Sequence, residues 1–289
     1  MRNPFRDRRC GNVDDELPDD VIIRCENVGK TFGDTAVLDG VNLDVRKGEV
    51  LVILGGSGSG KSTLLRCMTG ALRATQGRVI VNLPDQLGGP IDVCSMSDDQ
   101  LSEYRRQIGV LFQSGALFNS MSVKENVALP MRMHADLSQE TIDISVMMKL
   151  EQVSIRHAAD RLPGEISGGM KKRAGLARAL ALDPRILFYD EPSAGLDPIT
   201  SAQVDELICN LNTLLGVTSV VVTHEMDSAF RIADRMVLLD KGKFVADGTK
   251  EEFRDSDDER VRQFVDGSPT GPYTDEAEDG EYERALLGS

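Results

Sequence analysis

Residues Gly55 to Ser62 read GGSGSGKS and fit the spacing G-x-x-x-x-G-K-[ST]. Glycines at this density let several backbone N–H groups converge on one anion, and a helix opening at the end of the run adds the positive end of its dipole. The anion that suits such a cradle is a phosphate chain. Lys61 then reaches the β- and γ-phosphates and Ser62 ligates Mg²⁺. The flanks agree: EVLVIL (Glu49–Leu54) is a nearly unbroken apolar strand, and Leu64, Leu65 and Met68 follow at helical spacing up to Gly70.

A second apolar run, ILFY at Ile186–Tyr189, ends in Asp190 and Glu191. Ligands gather at the carboxyl ends of parallel strands. Asp190 can hold Mg²⁺ there through its water shell, and Glu191 can polarise an attacking water as general base. Alone, such a run is usually just a strand meeting a turn; the phosphate loop gives it chemistry. SVVV (Ser219–Val222) leads in the same way to His224, at the same sheet edge and within reach of a γ-phosphate. A third stretch, ISGGMKKRAGLARAL (Ile166–Leu180), opens a helix with Ser167 as N-cap, followed by Gly168 and Gly169. Lys171, Lys172 and Arg173 crowd its first turn, where positive charge opposes the helix dipole, so an anion is expected to compensate. The alternative is a capped core helix with a solvated basic face and an apolar stripe of Met170, Ala174, Ala177 and Leu180. The chain already has one phosphate cradle and no second lysine loop or Asp-Glu pair. A second phosphate-suited helix start therefore makes sense in a site completed on another copy of the chain.

Composition narrows the partners. The chain has 289 residues and a formal net charge of -14. That balance excludes a duplex nucleic-acid binder, which needs a basic surface. Much of the acidity follows Asp247, in Asp255–Glu259 and Asp275–Glu283. Five cysteines, with no CxxC pair, read as reduced thiols rather than a disulfide framework or a zinc site. The first residues lack the apolar core of a signal peptide, and no apolar stretch is long enough to span a bilayer, so any membrane role is expected to pass through a partner.

The elements that must position these groups alternate strand and helix, which implies an α/β fold with a mainly parallel sheet. Residues 1–20 read as a mobile arm. VIIRCENV and VNLDVR, near Val21 and Val41, alternate like strands, with Gly33-Asp34 and Asp39-Gly40 as turn signals. Residues 114–182 carry Met, Leu and Ala at helical spacing and no good strand, so a helical subdomain is expected there. Ser97-Asp98-Asp99-Gln100 predicts a capping box opening a helix into Tyr104. After Lys250 one charged helix is expected to run to Phe264, and the composition beyond it is that of a disordered tail.

Taken in order, the phosphate loop, Gln113, Ser-Gly-Gly, Asp190-Glu191, SAGLD (Ser193–Asp197) and His224 resemble the nucleotide-binding subunits of ABC (ATP-binding cassette) transporters, over about Val21 to Gly248. The resemblance implies a RecA-like P-loop NTPase core at residues 21–250, with an N-terminal antiparallel β region and the inserted helical subdomain. It implies two cassettes packed head to tail. ATP then lies between Gly55, Gly56, Ser57, Gly58, Ser59, Gly60, Lys61, Ser62 and Thr63 of one chain and Ser167, Gly168 and Gly169 of the other. It further implies that Phe32 stacks on adenine. Gln113 joins Ser62 and Asp190 around Mg²⁺, and joins Glu191, His224 and Lys61 in catalysis.

Met170 stands where glutamine is usual. ISGGMKKRAGLARALALDP, LFQSGALFNSMSVKENVALPMR and DEPSAGLDPITS resemble the ATPases of Mla/Mce-type lipid transport systems, and RVRQFVDG and the closing LLGS extend the likeness into the tail. This implies phospholipid traffic in a Gram-negative bacterium and a peripheral place on the cytoplasmic face of the inner membrane. The implied partners are a multi-span permease coupled through surface near Gln113 and Phe118–Met121, an Mce-domain lipid-binding protein and a small STAS-domain protein. The acidic extension 251–289 would reach the partner ATPase. An importer cassette for an amino acid or other small solute is the alternative, against which Met170 and the short tail count. A soluble cassette working in DNA repair or on ribosomes would carry long coiled coils or two cassettes in one chain. A P-loop kinase has no use for Ser167-Gly168-Gly169.

Overall fold

The computed structural model describes residues 17–273. Most of the expected N-terminal arm, residues 1–16, and the tail from 274, including LLGS, lie outside the described residues. Along the chain come β1 (Val21–Phe32), β2 (Thr35–Arg46), β3 (Val50–Leu54), α1 (Lys61–Met68), β4 (Gln76–Asn82), α2 (Pro84–Leu87), β5 (Pro90–Asp92), α3 (Asp98–Arg106) and β6 (Ile108–Leu111). Three helices follow, α4 (Val123–His134), α5 (Gln139–Gln152) and α6 (Gly168–Ala179). The chain then returns through β7 (Ile186–Asp190), α7 (Pro198–Leu215), β8 (Thr218–Val222), α8 (Met226–Ile232), β9 (Arg235–Asp240), β10 (Lys243–Gly248), α9 (Lys250–Arg254) and α10 (Glu259–Asp266).

Two sheets form. One is four-stranded and antiparallel, in the order β2-β1-β4-β5. The other is six-stranded, in the order β10-β9-β3-β8-β7-β6, and parallel except for β10 against β9. Every residue of β3 is buried, because both faces of this central strand are covered. The period-2 alternation of side chains divides the core. Leu51 and Ile53, with Phe188 and Val220, face α1 and the antiparallel sheet through Leu64, Ile23 and Val79. Val52 and Leu54, with Leu187, Tyr189 and Val221, face the helices through Val127, Ala174 and Ile208.

β6 and β7 are sheet neighbours although residues 112–185 intervene, and that span holds helices and no strand. Its closest approach to the sheet uses two glycines. A Cβ at Gly109 would lie 2.4 Å from the Ala179 carbonyl oxygen, and one at Gly175 would lie 2.9 Å from Leu111 Cδ1. α6 therefore sits hard against β6, in register with the strand ends that carry the chemistry.

Three sequence expectations change. Gly33-Asp34 is the two-residue turn between β1 and β2, but Asp39-Gly40 is not a turn. It lies inside β2, where a register shift between Val28 and Lys30 of β1 absorbs the left-handed Gly40 (φ +70°) as a bulge. The single charged helix from Lys250 is two helices. Thr249 and Glu252 form a capping box for α9, and the Asp258 carboxylate caps α10 by accepting from the Arg260 N–H. A second N-cap eight residues into an amphipathic run starts a new helix rather than extending the first. α10 is also followed by ordered residues as far as Tyr273, where composition alone suggests disorder. β5 is only three residues long and β10 mixes polar with apolar residues, so neither carried a strong sequence signal; β4 and β9 hold the apolar runs Val79–Val81 and Met236–Leu239 and were not among the expected strands. The box at Ser97 and Gln100 opens α3 as expected.

Candidate active site

The phosphate loop leaves β3 and enters α1 through Gly60, whose φ of +108° is open to glycine and strained for any other residue. A Cβ at Gly55 would lie 2.3 Å from the Leu239 carbonyl oxygen, so the loop lies directly on β9. No side chain caps α1, which leaves its first N–H groups to a ligand. Lys61 folds back over the loop, its Nζ donating to the carbonyl oxygens of Gly55 and Gly56 at 2.8 Å each. Burial pushes the Lys61 ammonium below the usual lysine range, against the pull of Glu191 and Asp190.

Ser62 Oγ donates to Asp190 Oδ1 at 3.1 Å, joining the first turn of α1 to the end of β7. Glu191 Oε1 lies 2.9 Å from His224 Nδ1, joining the ends of β7 and β8. Glu191 Oε2 and Ser59 Oγ are buried and, among the described residues, have no hydrogen-bond partner. A buried carboxylate oxygen without a donor is costly, and a site that brings a water to it offsets that cost. Glu191 also has φ +51°, a left-handed conformation worth about 1–3 kcal/mol of strain for a residue with a Cβ. Gly56–Thr63, Gln113, Glu191 and His224 line one cavity of about 1280 Å³; Gly55 and Asp190 stand just outside that lining, Asp190 joined to it through Ser62.

The geometry thus gathers a phosphate cradle, a hydroxyl–carboxylate pair and a carboxylate–imidazole pair at the carboxyl edge of a parallel sheet. A protein-family model described as "ABC transporter" matches residues 38–194, just over half of the chain. The chain belongs to the ABC transporter family. It is 42% identical to the intermembrane phospholipid transport system ATP-binding protein MlaF of Haemophilus influenzae, over 87% of this chain and 92% of the relative. It is 40% identical to MlaF of Escherichia coli K12, over 92% and 96%. A probable ribonucleotide transport ATP-binding protein, mkl of Mycobacterium leprae, is 40% identical over 90% of this chain and 73% of the relative. Among solved structures, the dimeric ATP-binding cassette MJ0796 bound to ADP and Pi matches with a TM-score of 0.70 at 31% identity, covering 79% of this chain and 98% of that one. The cassette cbiO1 of Clostridium perfringens matches with a TM-score of 0.74 at 31% identity, covering 85% and 95%. The chain is an ABC ATPase similar to MlaF.

Other expected residues of the cassette lie apart from the cavity lining. Phe32 ends β1 half exposed, with Lys30 Nζ over one face of its ring at 5.2 Å from the centroid. Ser167 Oγ caps α6 by accepting from the Met170 N–H, and Ser167 and Gly168 are exposed away from this chain's own phosphate loop. Two of the three basic residues near the start of α6 turn to the chain's own main chain. Lys172 is buried and donates to the Glu191 main-chain oxygen at 2.8 Å. Arg173 donates to the Val153 carbonyl oxygen at 3.1 Å and to Gln203. Their stems are long enough to carry the charge off the helix terminus, so the unfavourable dipole contact is avoided inside the chain.

Sequence reasoning missed one wall of the cavity. Lys241, in the turn after β9, and Gln263, Phe264 and Tyr273 of the C-terminal segment line it beside the phosphate loop. The only local signal was the Lys241-Gly242 turn; the rest follows from where α10 docks.

Proposed function

We propose that the chain is the ATP-hydrolysing subunit of a transporter that moves phospholipid between the inner and outer membranes. The observation that carries the chemistry is the Glu191–His224 contact at 2.9 Å on the cavity lined by the phosphate loop. The cargo rests on the identity shared with MlaF along nearly the whole chain. The function is assigned to a cassette over residues 21–250, with helical subdomain 114–182, and an acidic extension 251–289 that reaches the partner ATPase.

ATP docks with its phosphates on Gly55–Thr63 and its adenine on Phe32. Lys61 exchanges its two loop carbonyls for the β- and γ-phosphate oxygens, which cost less to approach because its ammonium is already partly desolvated. Ser62 would offer its hydroxyl oxygen to Mg²⁺ and Asp190 a carboxylate oxygen through water, a hard donor set that suits the ion, with Gln113 as a further protein ligand. When bound, the ion neutralises charge on the β- and γ-phosphates. Glu191 accepts the proton of the attacking water. The Glu191 Oε1 contact at Nδ1 orients the His224 ring, and an N–H at Nε2 donates to the γ-phosphate. Ser167, Gly168 and Gly169 of a second copy close the site from the opposite side, so hydrolysis requires the dimer.

The cassette sits on the cytoplasmic face of the inner membrane beneath a permease, with an Mce-domain protein and a small STAS-domain protein in the assembly; nucleic acid is not a partner. Among the described residues no helix is long and apolar enough to cross a membrane, which supports anchoring through the permease. The test is to purify the tagged chain from detergent-solubilised membranes of its host and identify co-purifying proteins and lipids by mass spectrometry. A permease with an Mce protein and phospholipid is the expected result. A solute permease without an Mce protein overturns the cargo and keeps the ATPase. E191Q should bind ATP, hydrolyse it only at a small residual rate and accumulate a dimer; a monomer with ATP bound counts against the two-chain site.

A further inference from the structure

Lys172 is 5% exposed, and its ammonium donates to the Glu191 main-chain oxygen at 2.8 Å. Among the described residues no carboxylate lies within ion-pair distance of it. A buried cation without an ion pair is expensive, and a neutral residue would fill the same space at lower cost. Burial holds this ammonium below the ordinary lysine range, while Glu191, Glu225 and Asp190 oppose that shift. Such a residue is a poor contributor to stability, so its value is sought in what it holds.

What it holds is the strained residue of the site. Glu191 has φ +51°; its N–H donates to the Val222 oxygen at 2.9 Å, and its own oxygen accepts from Ala194 N–H only at 3.3 Å. Lys172 supplies the shorter contact to that oxygen. An extended Glu191 would rotate its side chain away from His224. We propose that Lys172 is a positioning residue for hydrolysis: from the second turn of α6 it clamps the left-handed main chain of Glu191 and so aims the carboxylate at the cavity. The proposal rests on Glu191 being the general base. Because α6 begins with Ser167–Gly169, the clamp also joins the turn offered to a partner's nucleotide to the carboxylate of the chain's own site.

The test compares K172M in the wild-type and E191Q backgrounds. A merely structural lysine would lower turnover equally in both. The clamp predicts a fall in kcat of roughly tenfold to a hundredfold in the wild-type background, as for a misplaced reacting group. In E191Q, where no carboxylate remains to be aimed, residual turnover should change by less than about twofold, the signature of residues acting as one unit. Binding of a fluorescent ATP analogue to the isolated chain should be unchanged, and K172R, which keeps the donor, should restore most of kcat. Equal losses in both backgrounds, or a loss matched by weaker nucleotide binding, overturn the clamp. If K172M does not fold, K172Q is carried through the same cycle. Near-wild-type turnover by E191Q itself would instead show that Glu191 is not the base, a separate failure.

Discussion

Asn126, fully buried in α4, organises the loop between Gln113 and that helix, and its removal should be felt in stability before it is felt in nucleotide binding. Its Oδ1 accepts from the Phe118 N–H at 2.8 Å. Its Nδ2 lies 3.1 Å from the Phe118 oxygen, 3.1 Å from the Met121 oxygen and 3.0 Å from the Ser122 oxygen. The amide has two hydrogens, so two of those three carbonyls are served fully at once and three bonds are at stake. At about 1 kcal/mol each, N126A should cost about 3 kcal/mol. For a chain of this size that is a fall in Tm of roughly 6–12 °C, read by calorimetry or dye-based melting. N126D should be worse at neutral pH, because it keeps the acceptor for Phe118 N–H but turns a second oxygen toward carbonyls. Those carbonyls hold the new carboxyl above its unfolded pKa, so the folded state binds the proton more tightly. N126D stability should therefore rise as the pH falls and be lost as the pH rises through the folded pKa. Nucleotide affinity of the isolated chain should stay unchanged, since Asn126 does not line the cavity. An N126A protein melting with wild type, or an N126D protein more stable than N126A at neutral pH, would refute the count of bonds.

K61A should abolish ATP turnover, measured as phosphate release; an unchanged rate removes the phosphate-loop assignment. G169A places a Cβ 2.5 Å from Thr200 Cγ2, so the Thr200 side chain or the start of α7 must shift. Its turnover should drop about tenfold while the isolated chain binds nucleotide normally; weakened binding in the monomer would mean that Gly169 serves its own phosphate loop. Chelation of divalent cations should stop turnover and added Mg²⁺ restore it, and hydrolysis persisting in EDTA would exclude the Ser62–Asp190 ion site.

Much of the site was legible in the sequence because its signals are local. The phosphate loop declares itself through glycines between an apolar strand and a helix, and the chain does place Lys61 and Ser62 at the start of α1. Apolar runs ending in Asp190-Glu191 and before His224 identify central parallel strands, since only strands covered on both faces lack alternation. The capping boxes at Ser97 and Thr249 act within three residues, so the start of α3 and of α9 can be read from side-chain types alone.

What tertiary structure decided is where long side chains and interrupted elements end up. Nothing in MKKRA says that Lys172 turns inward to Glu191 while Arg173 goes to Val153. Each destination is a main-chain oxygen presented by a neighbouring element, and that supply is known only once the elements are packed. The same holds for Gly40, which reads as a turn but is a bulge because β1 pairs on both sides of it. The Glu191–His224 contact depends on β7 and β8 being adjacent and parallel, and the Phe264 and Tyr273 wall depends on α10 docking beside β9. The sequence by itself determined which groups could do the chemistry; packing alone determined which of them share a cavity and what holds each in place.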